Sequence, residues 1–366
     1  MSLPVIDLNG DNYEQGFQHG TLLQDQIAHN IEIYLSRFFR QFGLSKDELL
    51  DHCRRYLTAI KGKSPEYEEG LRGLSEGARQ PLDYISVLNL RYELFYFQFG
   101  VRGAIEMEAQ PDGCTLFAVL PNGMQNGHLT IGQNWDWIPQ VKGAITRIQE
   151  NSGLEILSFT EAGVLGGKIG LNSAGIGLGI NGMTSVHDDW TRFKLPLHYR
   201  CFNILRSIDF DSAVSIITNE PRSCSSNFLV AASPDHVVNL EAAPDIVVRL
   251  TCNNNCITHA NNFRDPESSG IVISESPNTP RSERRAVRLE TLINEGGIVT
   301  HEKLKTYLRD HDNSPYSICR HENMQLEEQE RTLTVTSIIM DLEDRVLWAT
   351  DGPPCQNSFQ EIHLNK

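Results

Sequence analysis

Long apolar runs are missing from this chain. No stretch of its 366 residues approaches the ~18 residues a membrane span requires, so no membrane partner is expected. An excess of positive charge is missing too. Lys and Arg number 32 against 47 Asp and Glu, a formal net charge of −15, which argues against nucleic acid and anionic lipid surfaces as partners. The start, MSLPVIDLNGDNYEQ, has no basic segment followed by an apolar one, so no secretory leader is expected. The closing HLNK matches neither an ER-retention nor a peroxisomal signal, and the cytoplasm is the expected location. Internal repeats and low-complexity segments are also absent.

What is present reads as an ordinary globular protein. The apolar fraction is 40% and the charged fraction 22%, enough to bury a substantial core in one large domain or two smaller ones. Eight cysteines are scattered: Cys53, Cys114, Cys201, Cys224, Cys252, Cys256, Cys319 and Cys355. Without a leader they are expected to be reduced thiols, mostly small core residues. The useful question is which one has a nucleophile's surroundings.

The first third has helical periodicity. Asp11 with Glu14, and Ser45 with Glu48, each form a capping pattern. Ser64 before Pro65 is a cap with a first-turn proline, and a further helix runs from Leu82 to about Phe97. Gly103 to Gly113 (GAIEMEAQPDG) is a polar, breaker-rich connector. Beyond it the pattern changes to strands: CTLFAVL, HLTIGQN, AITRIQ, LEILSFT, then KIGL and GIGLGI around the turn Asn172–Gly175. Helical patterns return at Leu197–Ile208 and Asp211–Asn219, and strands at NFLVAA, HVVNLEA and DIVVRLT. A Ser/Pro-rich loop, Pro266–Pro280, precedes helical patterns at Ser282–Leu292 and Glu302–Leu308 and a last pair of strands, LTVTSIIMDL and DRVLWAT. Helices, blocks of antiparallel strands, then helices again predict an α+β layered fold.

Three motifs invite chemistry. Gly177–Gly182 fits G-x-G-x-x-G, but no helix pattern follows, so the glycines are expected to mark close backbone contact instead of a dinucleotide. Cys252, Cys256 and His259 form C-x3-C-x2-H without a second half, which a tetrahedral zinc site requires. No metal or other cofactor is expected. The third, Asp112-Gly113-Cys114-Thr115, places a cysteine at the head of the first strand of the β block, directly after an exposed connector. That is an unusual address for a core cysteine.

With these residues in hand the chain resembles the acyl-coenzyme A:6-aminopenicillanic acid acyltransferase family of N-terminal nucleophile hydrolases, and more distantly the bile salt hydrolases and penicillin V acylases. The likeness runs through Gly16–Gly20 (GFQHG), Glu68–Ala78 (EEGLRGLSEGA), Asn89–Glu93 and Asp112–Thr115. It continues in Gly132–Asp136 (GQNWD), Thr160–Gly163, Gly170–Gly175, His259–Asn261 and Ser317–Arg320 (SICR). The resemblance implies a four-layer αββα sandwich with a helical N-terminal segment. It implies a precursor that cuts itself between Gly113 and Cys114 into a mostly helical α chain, 1–113, and a β chain, 114–366, which stay associated. Cys114 would be the nucleophile, with its freed α-amine as base. By matching positions, Asp136 resembles the aspartate that holds the α-amine and Arg320 the arginine beside the nucleophile. Asn261 resembles the side-chain oxyanion donor, Asn181 a second site asparagine, and Ser226 a serine linked to processing.

The activity so implied is hydrolysis or acyl transfer on a small N-acyl amide or acyl-coenzyme A, through an acyl-thioester on Cys114. Two departures stand out. Gln133 occupies the place of an arginine in the bile salt hydrolases, so their acid-group recognition does not carry over. The peroxisomal signal of the penicillin enzyme is missing, which weakens a penicillin-pathway assignment. The competing readings are a non-catalytic binding protein that keeps the fold, and a conventional cysteine protease using Cys114 with His259.

Overall fold

Local capping chemistry starts the helices where the sequence places it. Asp11 and Glu14 form a reciprocal capping box that opens α1 (Asn12–Leu22), and Ser45 with Glu48 does the same for α3 (Lys46–Ile60). Each box satisfies two of the donors that a helix start leaves without partners. Between them runs α2 (Gln24–Phe42), and after them α4 (Pro65–Ala78), capped by Ser64, and α5 (Leu82–Arg102). The helical pattern that opens at Asp11 is split between α1 and α2 at Leu23, which is buried and leaves helical geometry. The computed structural model describes residues 2–102, 113–273 and 278–364. Most of the connector Gly103–Gly113 and part of the loop Pro266–Pro280 therefore lie outside the described residues.

Two of the family-like motifs share one physical purpose. A Cβ on Gly16 of α1 would lie 2.1 Å from the Gly70 carbonyl oxygen of α4, and one on Gly77 would lie 2.1 Å from the Phe17 oxygen. GFQHG and EEGLRGLSEGA are thus the two sides of a seam where helix backbones touch, a distance only glycine permits.

Fourteen strands are found among the described residues. In chain order they are β1 (Val5–Asn9), β2 (Thr115–Val119), β3 (Thr130–Trp137), β4 (Gly143–Gln149), β5 (Glu155–Glu161), β6 (Ile169–Asn172) and β7 (Ile176–Gly182). After helices α6 (Leu197–Ile204) and α7 (Phe210–Thr218) come β8 (Ser226–Ala232), β9 (His236–Ala242), β10 (Val247–Leu250) and β11 (Cys256–His259). Helices α8 (Asn278–Glu295) and α9 (His301–Tyr307) precede β12 (Leu333–Asp341), β13 (Val346–Ala349) and β14 (Gln360–His363).

These strands form two sheets, ordered β1-β4-β5-β6-β7-β8-β9-β10 and β11-β2-β3-β12-β13-β14. All pairings are antiparallel save β1 with β4. Leu289 and Ile293 of α8 and Leu304 of α9 pack on Phe117, Val119 and Ile339 of the second sheet. On the first sheet, Asn89 of α5 donates to the Gly163 carbonyl at 2.8 Å. Fold class agrees with the expectation of α+β with N-terminal helices.

The two sheets meet at β7. The pairing of β6 with β7 covers only Gly170–Leu178 and Leu171–Gly177, so the second half of β7 has one edge free for side chains of the other sheet. Gln133 fills it: its Nε2 donates to Ile180 O at 3.1 Å and its Oε1 accepts from Ile180 N at 2.8 Å. This fully buried amide mimics a strand partner, and so explains glutamine at that position. The glycines of the G-x-G-x-x-G run lie in β7 itself, where a Cβ on Gly177 would meet Ile131 at 2.7 Å. Close contact between sheets, as expected, accounts for them.

Candidate active site

Cys114 stands immediately before β2, buried with 6% of its surface exposed. The β2–β3 register pairs Thr115 with Asn134, so two further steps along both strands bring Gly113 opposite Asp136. The approach is tight: a Cβ on Gly113 would lie 2.5 Å from Asp136 Cβ and 3.1 Å from its Oδ2. From the other side the Gly113 N–H donates to Asn261 Oδ1 at 3.0 Å. The residue ahead of the cysteine is therefore gripped between Asp136 on β3 and Asn261 just past β11.

Asp136 is oriented by its neighbours on β12. Thr334 Oγ1 donates to Asp136 Oδ1 at 2.6 Å and accepts from the Arg320 N–H at 2.9 Å. Arg320 brings its Nε to 3.5 Å from Asp136 Oδ2, while its Nη1 donates to Thr332 Oγ1 at 3.2 Å. Asp136 and Arg320 are 3% and 5% exposed, so the pair sits where its field is weakly screened.

Asn261 also links this group to the end of β7, since its Nδ2 donates to Gly182 O at 3.0 Å. Asn181, one residue earlier, accepts from Asn227 Nδ2 at 2.9 Å. Its own Nδ2 finds no acceptor among the described residues. Ser226 opens β8 directly across from Gly182. Gly113, Cys114, Asp136, Asn261 and Arg320 thus form one cluster, with Asn181 and Ser226 on the adjoining strand ends. His259 does not join as a base. Its Nε2 lies 2.7 Å from Glu241 Oε1 and its Nδ1 2.7 Å from Ala260 O, so both ring nitrogens are engaged.

Two further cations belong to this neighbourhood. Arg285 of α8 is 1% exposed; its Nη2 donates to Asn261 Oδ1 at 2.9 Å and its Nε to Thr115 Oγ1 at 3.1 Å. It therefore ties Thr115, just after Cys114, to Asn261, which accepts from the Gly113 N–H. Lys168 is fully buried, donates to Glu161 Oε1 at 2.7 Å and lies over the Trp135 ring with its Nζ 3.0 Å from the centroid. Burial lowers the Lys168 ammonium to about 7 against the pull of Glu161. Burial alone would raise Glu161, but Arg91 and then Lys168 outweigh it and hold the carboxyl down at about 2.

Burial, and then the Asp136 carboxylate, push the Cys114 thiol up to about 11, with Lys168 and Arg285 partly opposing. In the continuous chain the thiol is therefore protonated near neutral pH. A sequence signal existed for Arg285: it shares the apolar face Ser282, Arg285, Leu289, Ile293 at helical spacing. Lys168 had none, since a lysine opening KIGL looks like an ordinary strand end.

Replacing Arg285 with leucine is expected to cost about 3 kcal/mol, because it removes two charge-assisted hydrogen bonds from a buried site. A urea titration would show the midpoint falling at unchanged slope, with Arg285→Lys recovering only part. A loss below ~1 kcal/mol would mean Arg285 is no clamp.

Fold and site define an α+β protein whose inter-sheet seam holds a buried cysteine in a polar, charged cluster. The chain belongs to the acyl-coenzyme A:6-aminopenicillanic acid acyl-transferase family, which matches residues 124–355. That match begins beyond Cys114. The chain is similar over nearly its whole length to the acyl-coenzyme A:6-aminopenicillanic-acid-acyltransferase 40 kDa form of Emericella nidulans. The two are 28% identical over 354 residues, 95% of this chain and 92% of the relative. Among solved structures it is similar to a Caenorhabditis elegans N-acylethanolamine-hydrolyzing acid amidase ortholog. That similarity has 16% identity over 63% of this chain and 93% of the other, with a TM-score of 0.45. A mutant of the conjugated bile acid hydrolase of Clostridium perfringens is 11% identical over 69% of this chain and 92% of the other, with a TM-score of 0.47.

Proposed function

We propose that this chain is a self-processing N-terminal nucleophile enzyme that hydrolyses or transfers the acyl group of a small N-acyl amide or acyl-coenzyme A. The αββα layering and the division into chains 1–113 and 114–366 are part of the same reading. The observation that carries it is the grip on the Gly113–Cys114 bond: Asp136 against the Gly113 backbone and Asn261 on the Gly113 N–H. A core cysteine needs no such apparatus.

In the precursor the Cys114 thiol first loses its proton to solvent, the thiolate attacks the Gly113 carbonyl carbon, and the departing amide nitrogen takes a proton from water. The C–N bond breaks, leaving a thioester and a free α-amine on Cys114. Water opens the thioester, giving the Gly113 carboxylate and restoring the thiol. Each turnover then repeats the acylation on substrate: the α-amine, with an ordinary pKa of ~7.7, accepts the thiol proton, the sulfur takes the acyl group, and the leaving amine or coenzyme A thiol departs with that proton. Water or an acceptor amine then takes the acyl group from sulfur and returns a proton to the site.

Asp136 Oδ2, already against Gly113, is where the new α-amine is held. Arg320 beside it supplies positive charge toward the thiolate. Asn261 grips the precursor through its oxygen and spends one amide hydrogen on Gly182; the second hydrogen is the oxyanion donor of the reaction. Asn181 Nδ2, without an acceptor among the described residues, is a second donor. Ser226 acts during processing from the adjoining strand. The acyl-coenzyme A named for the Emericella nidulans relative is the donor class favoured here. The setting is cytoplasmic, where all eight thiols stay reduced.

Processing and turnover should differ in pH dependence. With the precursor thiol at about 11, only about one molecule in ten thousand carries thiolate at pH 7. Raising the pH favours the thiolate, so cutting of freshly refolded precursor is expected to speed up about tenfold per unit between about pH 6 and 9. Turnover by the cut enzyme should level off near about pH 8, where the α-amine is free. Gel assays of cutting and release assays on acyl amides read the two profiles separately; a flat cutting profile would sink the thiolate route.

A further inference from the structure

Far from Cys114 in sequence, four soft ligand side chains converge. His311, Cys319, His321 and Cys355 place one ligand atom each so that all lie within 4.8 Å of one another. His321 Nε2 is 3.1 Å from His311 Nε2, 3.2 Å from Cys355 Sγ and 3.8 Å from Cys319 Sγ. One imidazole nitrogen carries either a lone pair or a single hydrogen. It can pair well with one of these groups, yet three point at it. A hydrogen-bond network does not account for that convergence, whereas a cation at its centre does.

The three separations from His321 Nε2 lie close to those of a tetrahedral ion. Zinc–sulfur bonds of ~2.3 Å and zinc–nitrogen bonds of ~2.0 Å set ligand atoms roughly 3.3 to 3.8 Å apart at tetrahedral angles. Two thiolates and two imidazoles are a ligand set for zinc, and neutral imidazole is the binding form. The backbone supports the arrangement. Cys319 N–H donates to Asp310 O at 3.0 Å, folding the loop so that 311 and 319 meet. Arg309 Nε donates to Pro354 O at 2.9 Å, bringing in the segment that carries Cys355.

We propose that His311, Cys319, His321 and Cys355 bind one zinc ion as a closed structural site. Binding releases two thiol protons to solvent, and the dication with two thiolates is neutral overall. All four positions are taken by protein, so the ion has no open place for substrate. Its effect is mechanical: it clamps the residues on both sides of Arg320, whose guanidinium pairs with Asp136. The proposal stands on the four ligands alone and does not rest on the nucleophile assignment.

The test is metal content of the full-length chain, expressed with zinc and dialysed against metal-free buffer. About one zinc per chain is expected, falling below about a tenth in Cys355→Ser and in His311→Ala. Both variants alter exposed residues, so they should keep the fold, which circular dichroism checks. Cobalt titrated into the stripped wild type should give thiolate charge-transfer and intense tetrahedral bands, absent in Cys355→Ser. Wild type that retains no zinc, a cobalt spectrum of six oxygen or nitrogen ligands, or variants that bind as wild type would each overturn the proposal. So would a Cys319–Cys355 disulfide in freshly purified protein. Metal content is read alike on cut and uncut chains, so failure here leaves the Cys114 reading untouched, and the reverse holds.

Discussion

Cys114→Ala is expected to remain one uncut chain and to lose at least about four orders of magnitude of acyl-release activity. The magnitude follows from what one residue supplies. In the proposed mechanism its sulfur is the nucleophile of both reactions, and its nitrogen, once freed, is the base. Alanine removes the sulfur and, by preventing the cut, also keeps the nitrogen in a peptide bond. His259 does not replace either, since it is held by Glu241 and Ala260. Folding should survive, because the substitution removes a single heavy atom from a buried site, at a cost of roughly 1 kcal/mol. Intact mass would show the undivided chain for the variant and two fragments, starting at Met1 and Cys114, for wild type. A variant that is uncut but fully active would end the proposed mechanism, and an uncut, inert wild type would favour a binding protein.

Features governed by neighbours in sequence are legible without the fold. The two capping boxes, the Pro65 start and the hairpin at Asn172–Gly175 each depend on a few adjacent residues, and each is present. What escapes depends on partners far along the chain. β1 and β14 are five and four residues long, and β1 becomes a strand only by lying parallel to β4. Gln133 is legible as a departure from relatives, but its purpose appears only where β6 stops pairing with β7. Asn261 is legible only through the likeness of its His259–Asn261 motif to the family, whereas its grip on Gly113 through oxygen is a matter of three-dimensional placement. The metal-type cluster shows the same limit. C-x3-C-x2-H near residue 256 draws attention by spacing, yet His259 is bound to Glu241. The four converging ligands come from positions 311, 319, 321 and 355, a spacing that matches no familiar pattern.

Gly113→Ala separates making the enzyme from being the enzyme. The methyl would have to occupy a point 2.5 Å from Asp136 Cβ and 3.1 Å from Asp136 Oδ2. No rotamer relieves that clash, because Asp136 Cβ is fixed to the β3 backbone, which is itself paired with β2 and β12. The variant must move the Gly113 backbone away from Asp136, and with it the carbonyl that the sulfur attacks in the proposed cut. A displacement of about 1 Å from attack geometry costs roughly a hundredfold in rate, so cutting should slow by about that factor. Once cut, the variant has the same β chain as wild type, beginning at Cys114, and its only change lies at the end of the α chain. Activity per cut molecule should therefore be unchanged within about twofold, whereas Cys114→Ala loses both processes together. Time courses of cutting, paired with turnover normalised to the amount of β chain, would show this split. Equal loss of both would mean that residue 113 shapes the substrate site itself, and unimpeded cutting would mean that contact with Asp136 does not hold the scissile bond.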